Sequence, residues 1–116
     1  MHATIVTLTI LLSVVFAFSG AGKTLATATA RKHAVHLGIS PRLSRLIGVA
    51  ELAAVIGLLA GLAITPLASV TAAAICLLMI GAAGSHLKAQ DPAKAVAPAV
   101  VTALVATALL LLTLTV

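Results

Sequence analysis

Four long apolar stretches take up most of this chain. They cover approximately residues 3–22, 43–63, 66–87 and 95–115, and a basic loop at 23–42 separates the first two. An α-helix rises about 1.5 Å per residue, so about 20 apolar residues suffice to cross roughly 30 Å of hydrocarbon. The pattern predicts an all-α fold: an integral membrane four-helix bundle in which residues 1–116 form a single four-span transmembrane domain.

The composition excludes the main soluble classes. Hydrophobic residues make up 62% of the chain and charged residues 8%, whereas a soluble domain carries about 25% charged residues. So little polar surface rules out a soluble enzyme domain and a disordered chain. The single cysteine, Cys76, rules out a disulfide scaffold and any dithiol chemistry within the chain.

The basic residues predict how the bundle is oriented. All seven lie in or beside the first and third loops: Lys23, Arg31, Lys32, Arg42, Arg45, Lys88 and Lys94. These two loops share a side in a four-span protein, and the positive-inside rule makes that side cytoplasmic. We therefore expect both termini on the non-cytoplasmic side and the basic end against anionic lipid. A nucleic-acid partner is not expected, because the chain lacks stacking aromatics.

Three boundaries carry the same helix-start signal. Ser40, Thr65 and Asp91 each precede a proline, which predicts a capping side chain followed by proline in the first helical turn. Two alternatives stay open elsewhere. The first stretch has the apolar core of a signal peptide, although no basic residue precedes it. Residues 24–37 form either a continuation of the first span or a separate amphipathic helix ended by Gly38.

Small residues predict how the helices pack. The second span holds Gly57 and Gly61 among several alanines, and the third span is also rich in alanine and glycine. Because lipid tails are as apolar as leucine, helices in a bilayer associate through close contacts between small residues. We expect the second and third spans to be antiparallel neighbours at the centre of the bundle. Dimerisation through the two glycines is the alternative.

Glu51 is the polar residue that most needs explanation, because it lies about 12 Å into the predicted second span. An ionised carboxyl in hydrocarbon costs about 2.5–3.5 kcal/mol on insertion scales, so it must be protonated, paired or placed in a polar cavity. Intramembrane acids are functional sites by default. A structural alternative is an internal ion pair or hydrogen bond that fixes the bundle.

Three basic groups are expected near Glu51: Lys23 at the end of the first span, Arg45 at the start of the second and His86 at the end of the third. Lys23 and His86 come from other helices, as a site in a bundle core requires. Simple capping of its helix is the alternative role for His86.

Metal-binding residues are sparse. His33 and His36 lie three positions apart on one helical face, a spacing that would allow metal ligation. A pair of histidines without a third ligand is more typical of an interfacial loop, so no metal is predicted.

Several short motifs, taken in order, resemble the DoxX or DoxX-like family. They are residues 18–20 (FSG) with Lys23, 36–40 (HLGIS), 48–52 (GVAEL), 57–58 (GL), and 78–79 (LM) with His86. The resemblance covers nearly the whole chain. It implies a small four-helix bacterial protein in the cell (inner) membrane, multi-pass, from a family associated with quinone-linked sulfur oxidation and with oxidative-stress complexes.

The resemblance also implies a candidate site. The matching positions are Lys23, His36, Glu51 and His86, and with Arg45 they make up the predicted ligand-binding set. No cofactor motif is evident in the sequence. Quinone is the cofactor that the family resemblance implies. The expected partners are the lipid bilayer and either another membrane protein or a second copy of the chain.

Two functions fit these observations. The first is a non-catalytic subunit or a binding module for a small apolar ligand, such as a quinone or lipid, in a membrane redox or stress-related complex. The alternative is a small membrane enzyme acting on an apolar substrate by Glu51-dependent proton transfer, of the isomerase or epoxide-opening type, with Glu51 and His86 as the catalytic residues. The first is favoured, because one acid and one histidine fall short of a catalytic constellation.

Overall fold

The computed structural model describes residues 2–115, which fold into helices joined by short connections. The helices are α1 (His2–Thr24), α2 (Ala28–Leu37), α3 (Pro41–Gly61), α4 (Thr65–Lys88) and α5 (Ala93–Thr115). The described range contains no strand. Four of the helices, all except α2, are long and apolar enough to cross a membrane. The predicted all-helical bundle is therefore confirmed, and its four spans agree with the expected ones to within a few residues.

The four long helices pack as a closed ring. α1 contacts α3 and α5, and α4 contacts the same two helices. Each long helix contributes one fully buried large side chain to the common core: Phe16, Leu58, Ile75 and Leu109. The second and third spans are indeed neighbours, but the expectation that they occupy the centre was wrong. The most extensive contacts are α1 with α3 and α4 with α5, and Gly20 and Gly48 allow the first of these pairs to meet closely.

Close packing between α3 and α4 confirms that Gly57 and Gly61 mediate a helix contact within the chain. A Cβ on Gly61 would lie 2.7 Å from the Cα of Ala68, and a Cβ on Gly57 would collide with Thr71. Since real Cβ atoms do not approach so closely, the small residues are needed for the two backbones to meet. The outer faces carry exposed leucine, valine and isoleucine side chains, as expected of helices that contact lipid.

α2 is a separate short helix rather than an extension of the first span. The chain leaves α1 through Ala26, whose φ is +53°, and Thr27 caps the new helix by accepting the backbone N–H of Ala30 at 3.2 Å. Gly38, with φ +70°, ends it in the left-handed conformation that glycine adopts without strain. α2 packs against α1, α3 and α4, so it covers one end of the bundle.

One of the predicted helix caps is confirmed and two were wrong. The hydroxyl of Ser40 accepts the backbone N–H of Leu43 at 3.1 Å and caps α3. Thr65 is already helical, and Ile64 occupies the capping position without a side-chain bond. Asp91 lies two residues before the start of α5, and its carboxylate instead hydrogen-bonds to His36 and His86.

Candidate functional site

An ion pair joins α1 and α3 inside the basic end of the bundle. Nζ of Lys23 donates to Oε1 of Glu51 at 2.7 Å. The Glu51 side chain is 2% exposed, whereas that of Lys23 is 29% exposed and so keeps contact with the outside. Within residues 2–115, no side chain hydrogen-bonds to the second oxygen, Oε2. The carboxylate is therefore paired through one oxygen and available through the other.

Two glycines explain how a residue at the end of α1 reaches a residue deep in α3. A Cβ on Gly20 would lie 2.8 Å from the carbonyl oxygen of Gly48, and a Cβ on Gly48 would lie 2.6 Å from the Cβ of Lys23. The helices thus touch backbone to backbone just beside the ion pair. This contact places the Cβ of Lys23 beside Gly48, which is about one helical turn before Glu51. The extended lysine side chain then carries its ammonium group to the carboxylate.

A second acid–base cluster is centred on Asp91 in the connection between α4 and α5. Oδ1 of Asp91 bonds to Nε2 of His36 at 2.5 Å, and Oδ2 bonds to Nδ1 of His86 at 2.6 Å. The exposed fractions of the side chains are 56% for His36, 8% for Asp91 and 14% for His86. An ionised carboxylate only accepts, so both ring nitrogens donate to it. The cluster ties α2 to the end of α4.

His33 extends this cluster toward the interior. Its ring meets the ring of His86 edge to face, with centroids 5.5 Å apart. Partial burial lowers the pKa of His33 below its ordinary value, and the nearby His86 and Lys23 lower it further. Hydrogen bonds from His86, which has the larger effect, and from His36 hold the pKa of Asp91 below its ordinary value. The two shifts favour a neutral His33 beside an ionised Asp91.

A cavity of about 320 Å³ lies between the two acid–base pairs. Its polar lining consists of Lys23, His33, Ser44, Glu51, Ser85 and His86. The rest is apolar and comes mainly from α2, from the start of α3 and from the second half of α4, with Leu37, Ile47, Leu78 and Met79 among the larger members. Small-molecule sites are typically concave and mostly apolar with a few polar groups, and this cavity has that character.

The structure brings together three members of the predicted ligand-binding set. Lys23, Glu51 and His86 all line the cavity. His86 pairs with Asp91 rather than with Glu51. His36 lies outside the cavity and is joined to it through Asp91. Arg45 neither lines the cavity nor makes an ion pair within residues 2–115. Their functional assignment as a set stays a prediction.

Asp91 and His33 are the site residues that sequence reasoning missed. The proline after Asp91 predicts a helix cap, and the pairing of His33 with His36 alone predicts an interfacial role. The sequence does contain a signal for Asp91. The chain has only two acidic residues, and a cluster of histidines favours a carboxylate beside it as a counter-charge. Within residues 2–115, no three His, Cys, Asp or Glu side chains are arranged to hold a metal ion.

The fold and the site together define a small, multi-pass helical membrane protein with a mostly apolar cavity, flanked by acid–base pairs, at its basic end. The chain matches the DoxX-like family over residues 7–108 and belongs to that family. No curated protein and no solved structure shows significant similarity to it. The resemblance drawn from short motifs is thereby confirmed.

Proposed function

We propose that this protein binds a small, mostly apolar molecule with polar oxygen atoms in the cavity at its basic end, as a non-catalytic module of a membrane redox or stress-related complex. The observation that carries the proposal is the cavity itself, an apolar space of about 320 Å³ with an acid–base pair on either side. A quinone ring is the ligand class that fits best.

The balance of charge favours a neutral ligand. Lys23 is paired with Glu51, and His86 is paired with Asp91. Each basic group thus has a carboxylate beside it, and a bare phosphate headgroup would have to displace one of those carboxylates. A quinone instead offers a flat apolar ring and carbonyl oxygens that accept hydrogen bonds. The ammonium group of Lys23 is one donor, and Nε2 of His86 becomes a second donor when the imidazole is protonated, because Nδ1 already donates to Asp91.

The volume argues for one ring system. Pockets for small molecules generally span about 300–1,000 Å³, and this cavity lies at the lower end of that range. It has room for the headgroup of a quinone but not for a long isoprenoid tail as well. The proposal therefore concerns recognition of the headgroup.

Binding of 2-methyl-1,4-naphthoquinone to the protein in lipid nanodiscs tests the proposal, with two matched variants. Gly81 lines the cavity, Gly84 does not, and added Cβ atoms at both positions meet open space. Gly81→Leu should fill the cavity and weaken binding about tenfold or more, a loss of about 1.4 kcal/mol. Gly84→Leu should bind as the natural protein does. Absent saturable binding, or equal losses in both variants, contradicts the proposal.

We further propose that the basic end faces the cytoplasm of a bacterial cell, with both termini on the other side of the inner membrane. The support is that all seven Lys and Arg side chains lie in α2 or near the ends of the long helices at that end of the bundle. Single cysteines at Lys94 and Ile64, in a Cys76→Ser background, test this in intact cells. A membrane-impermeant maleimide should label the Ile64 position only; labelling of the Lys94 position alone reverses the orientation.

The enzymatic alternative, proton transfer by Glu51, has one observation in its favour. Glu51 lines the cavity and its Oε2 has no hydrogen-bond partner within residues 2–115, so it would be available to a bound substrate. Turnover of an apolar epoxide or alkene that is lost in Glu51→Gln would favour this alternative over the binding module.

A further inference from the structure

Asp91 and His86 form a polar pair at the edge of the cavity that simple ligand binding does not require. Oδ2 of Asp91 holds Nδ1 of His86 at 2.6 Å, and His86 lines the cavity. Nδ1 is occupied by the carboxylate, so Nε2 is the nitrogen left for the cavity. Within residues 2–115, no side chain bonds to Nε2. The pair sits where an aqueous surface meets an apolar space, because His36 on the other oxygen is 56% exposed.

We propose that the Asp91–His86 pair exchanges a proton with the molecule bound in the cavity. The ligand is then of a class whose oxygen exists in both neutral and anionic forms, such as a hydroxyquinone or a quinol. This inference rests on the proposed binding function and specifies which ligands the site handles.

The exchange is a simple proton transfer at named atoms. The N–H bond at Nε2 of His86 breaks as an O–H bond forms on the ligand. The imidazolium becomes a neutral imidazole, and the anionic oxygen becomes a neutral hydroxyl. The reverse step restores both. No electron moves, and no oxidant or reductant is needed. Asp91 acts as a positioning residue, since it holds the proton on Nδ1 and supplies the counter-charge.

The surrounding charged groups favour His86 over the other candidates. Lys23 from α1 is engaged with Glu51 from α3. From α2, His33 faces His86 edge to face, and burial together with its cationic neighbours favours its neutral form. His36 reaches Asp91 but does not line the cavity. His86 is thus the group that is bonded to a carboxylate through Nδ1 and also lines the cavity.

Calorimetry with two probes tests the inference on the natural protein in nanodiscs. The probes are neutral 2-methyl-1,4-naphthoquinone and its acidic counterpart, 2-hydroxy-1,4-naphthoquinone, which is an anion at neutral pH. Measurements in buffers of different ionisation enthalpy give the number of protons taken up on binding. At about pH 8, where free histidine is largely neutral, the anion should bind with uptake approaching about one proton. The neutral quinone should bind with uptake near zero.

The outcomes separate this inference from the binding proposal. If neither probe binds, the proposed function fails. If both bind and neither takes up a proton at any pH between about 5.5 and 8, the proposed function stands and the proton exchange is wrong. Uptake that falls toward zero at about pH 5.5, where free histidine is already protonated, supports the exchange.

Variants assign the exchange to its residue. His86→Gln should abolish proton uptake with the anion, and Asp91→Asn should reduce it. Arg42→Gln, an exposed charge at the same end of the bundle that does not line the cavity, should leave uptake unchanged. Uptake that survives His86→Gln and disappears in His33→Gln overturns the assignment. Should His86→Gln fail to fold, the wild-type comparison of the two probes and Asp91→Asn still decide the question.

Discussion

Lys23 and Glu51 are 28 positions apart, yet their Nζ and Oε1 atoms lie 2.7 Å from each other. The contact places a cation from the rim of the bundle against a carboxylate that is 2% exposed. This satisfies an acid that would otherwise be costly inside a membrane span. It also leaves one carboxylate oxygen available beside the cavity. Bundle stability and the proposed binding site therefore depend on the same pair.

Removing only the lysine should destabilise the bundle more than removing both partners. Lys23→Met leaves Glu51 buried without a cation, and breaking a fully buried pair costs about 3–5 kcal/mol. Because Lys23 is 29% exposed, we expect a smaller loss of about 1–3 kcal/mol. The double variant Lys23→Met with Glu51→Gln should recover part of it. Unfolding in detergent by steric trapping measures these free energies, and equal losses in both variants would show that the pair is not coupled.

Adding a single methyl group at Gly48 should force α1 and α3 apart. Its Cβ would meet the backbone nitrogen of Thr24 at 2.8 Å and the carbonyl oxygen of Gly20 at 2.9 Å, so we expect Gly48→Ala to cost about 1–3 kcal/mol. The matched control is Gly84→Ala, because a Cβ there meets open space and both positions are helical. The thermal unfolding midpoint should fall in the first variant only; an unchanged midpoint in both would contradict the close approach.

Acidification should lower the stability of the fold, first through protonation of His33 and, at a lower pH, through protonation of Asp91. The pKa of His33 is below 6.5 in the folded protein, so the unfolded chain binds more protons and stability falls as the pH drops through about 6.5. The pKa of Asp91 is below 3.8, so its contribution is complete above that pH and is lost below it.

Thermal unfolding between about pH 8 and pH 5 checks the first of these effects. His33→Gln should make the midpoint less sensitive to pH than in the natural protein. His2→Gln, which replaces an exposed histidine at the start of α1, should leave the pH dependence as it was. The same pH dependence in all three proteins would rule out a contribution from His33.

Loss of the Asp91 carboxylate should release α2 while leaving the four long helices in place. His36 is the α2 residue that bonds to Asp91, and α2 is short, with Ala34 as its buried residue. Asp91→Ala should therefore speed amide hydrogen exchange in residues 30–37 by about tenfold or more, which corresponds to about 1.4 kcal/mol of local stability. Exchange in the centre of α3 should not change. Unaltered exchange in α2 would mean that other contacts hold it.

Much of the fold could be predicted from hydropathy, because a bilayer demands long apolar helices and few alternatives exist. The α3–α4 contact at Gly57 and Gly61 could also be foreseen from small residues on facing helices. The ring arrangement could not, since Gly20 and Gly48 become informative only when their helices are known to be paired. Lys23 was correctly expected near Glu51, because a buried acid requires a counter-charge.

The Asp91 cluster could not be predicted for a different reason. A proline after an aspartate is a strong local signal for a cap, and local signals take no account of His36, which lies 55 positions away. The separate start of α2 depends on the left-handed backbone conformation of Ala26. Alanine rarely adopts this conformation, so the sequence gives no signal for it.

Photoaffinity labelling with an azido-naphthoquinone tests the binding cavity most directly, because it reports where the probe sits. We expect the cross-links, mapped by mass spectrometry on protein in nanodiscs, to concentrate on α2, on the first half of α3 and on the second half of α4, where most of the cavity lining lies. Excess unlabelled quinone should remove these cross-links. Labels that spread along the lipid-facing side chains of all four long helices, and that excess quinone does not remove, would show that the cavity is not the binding site.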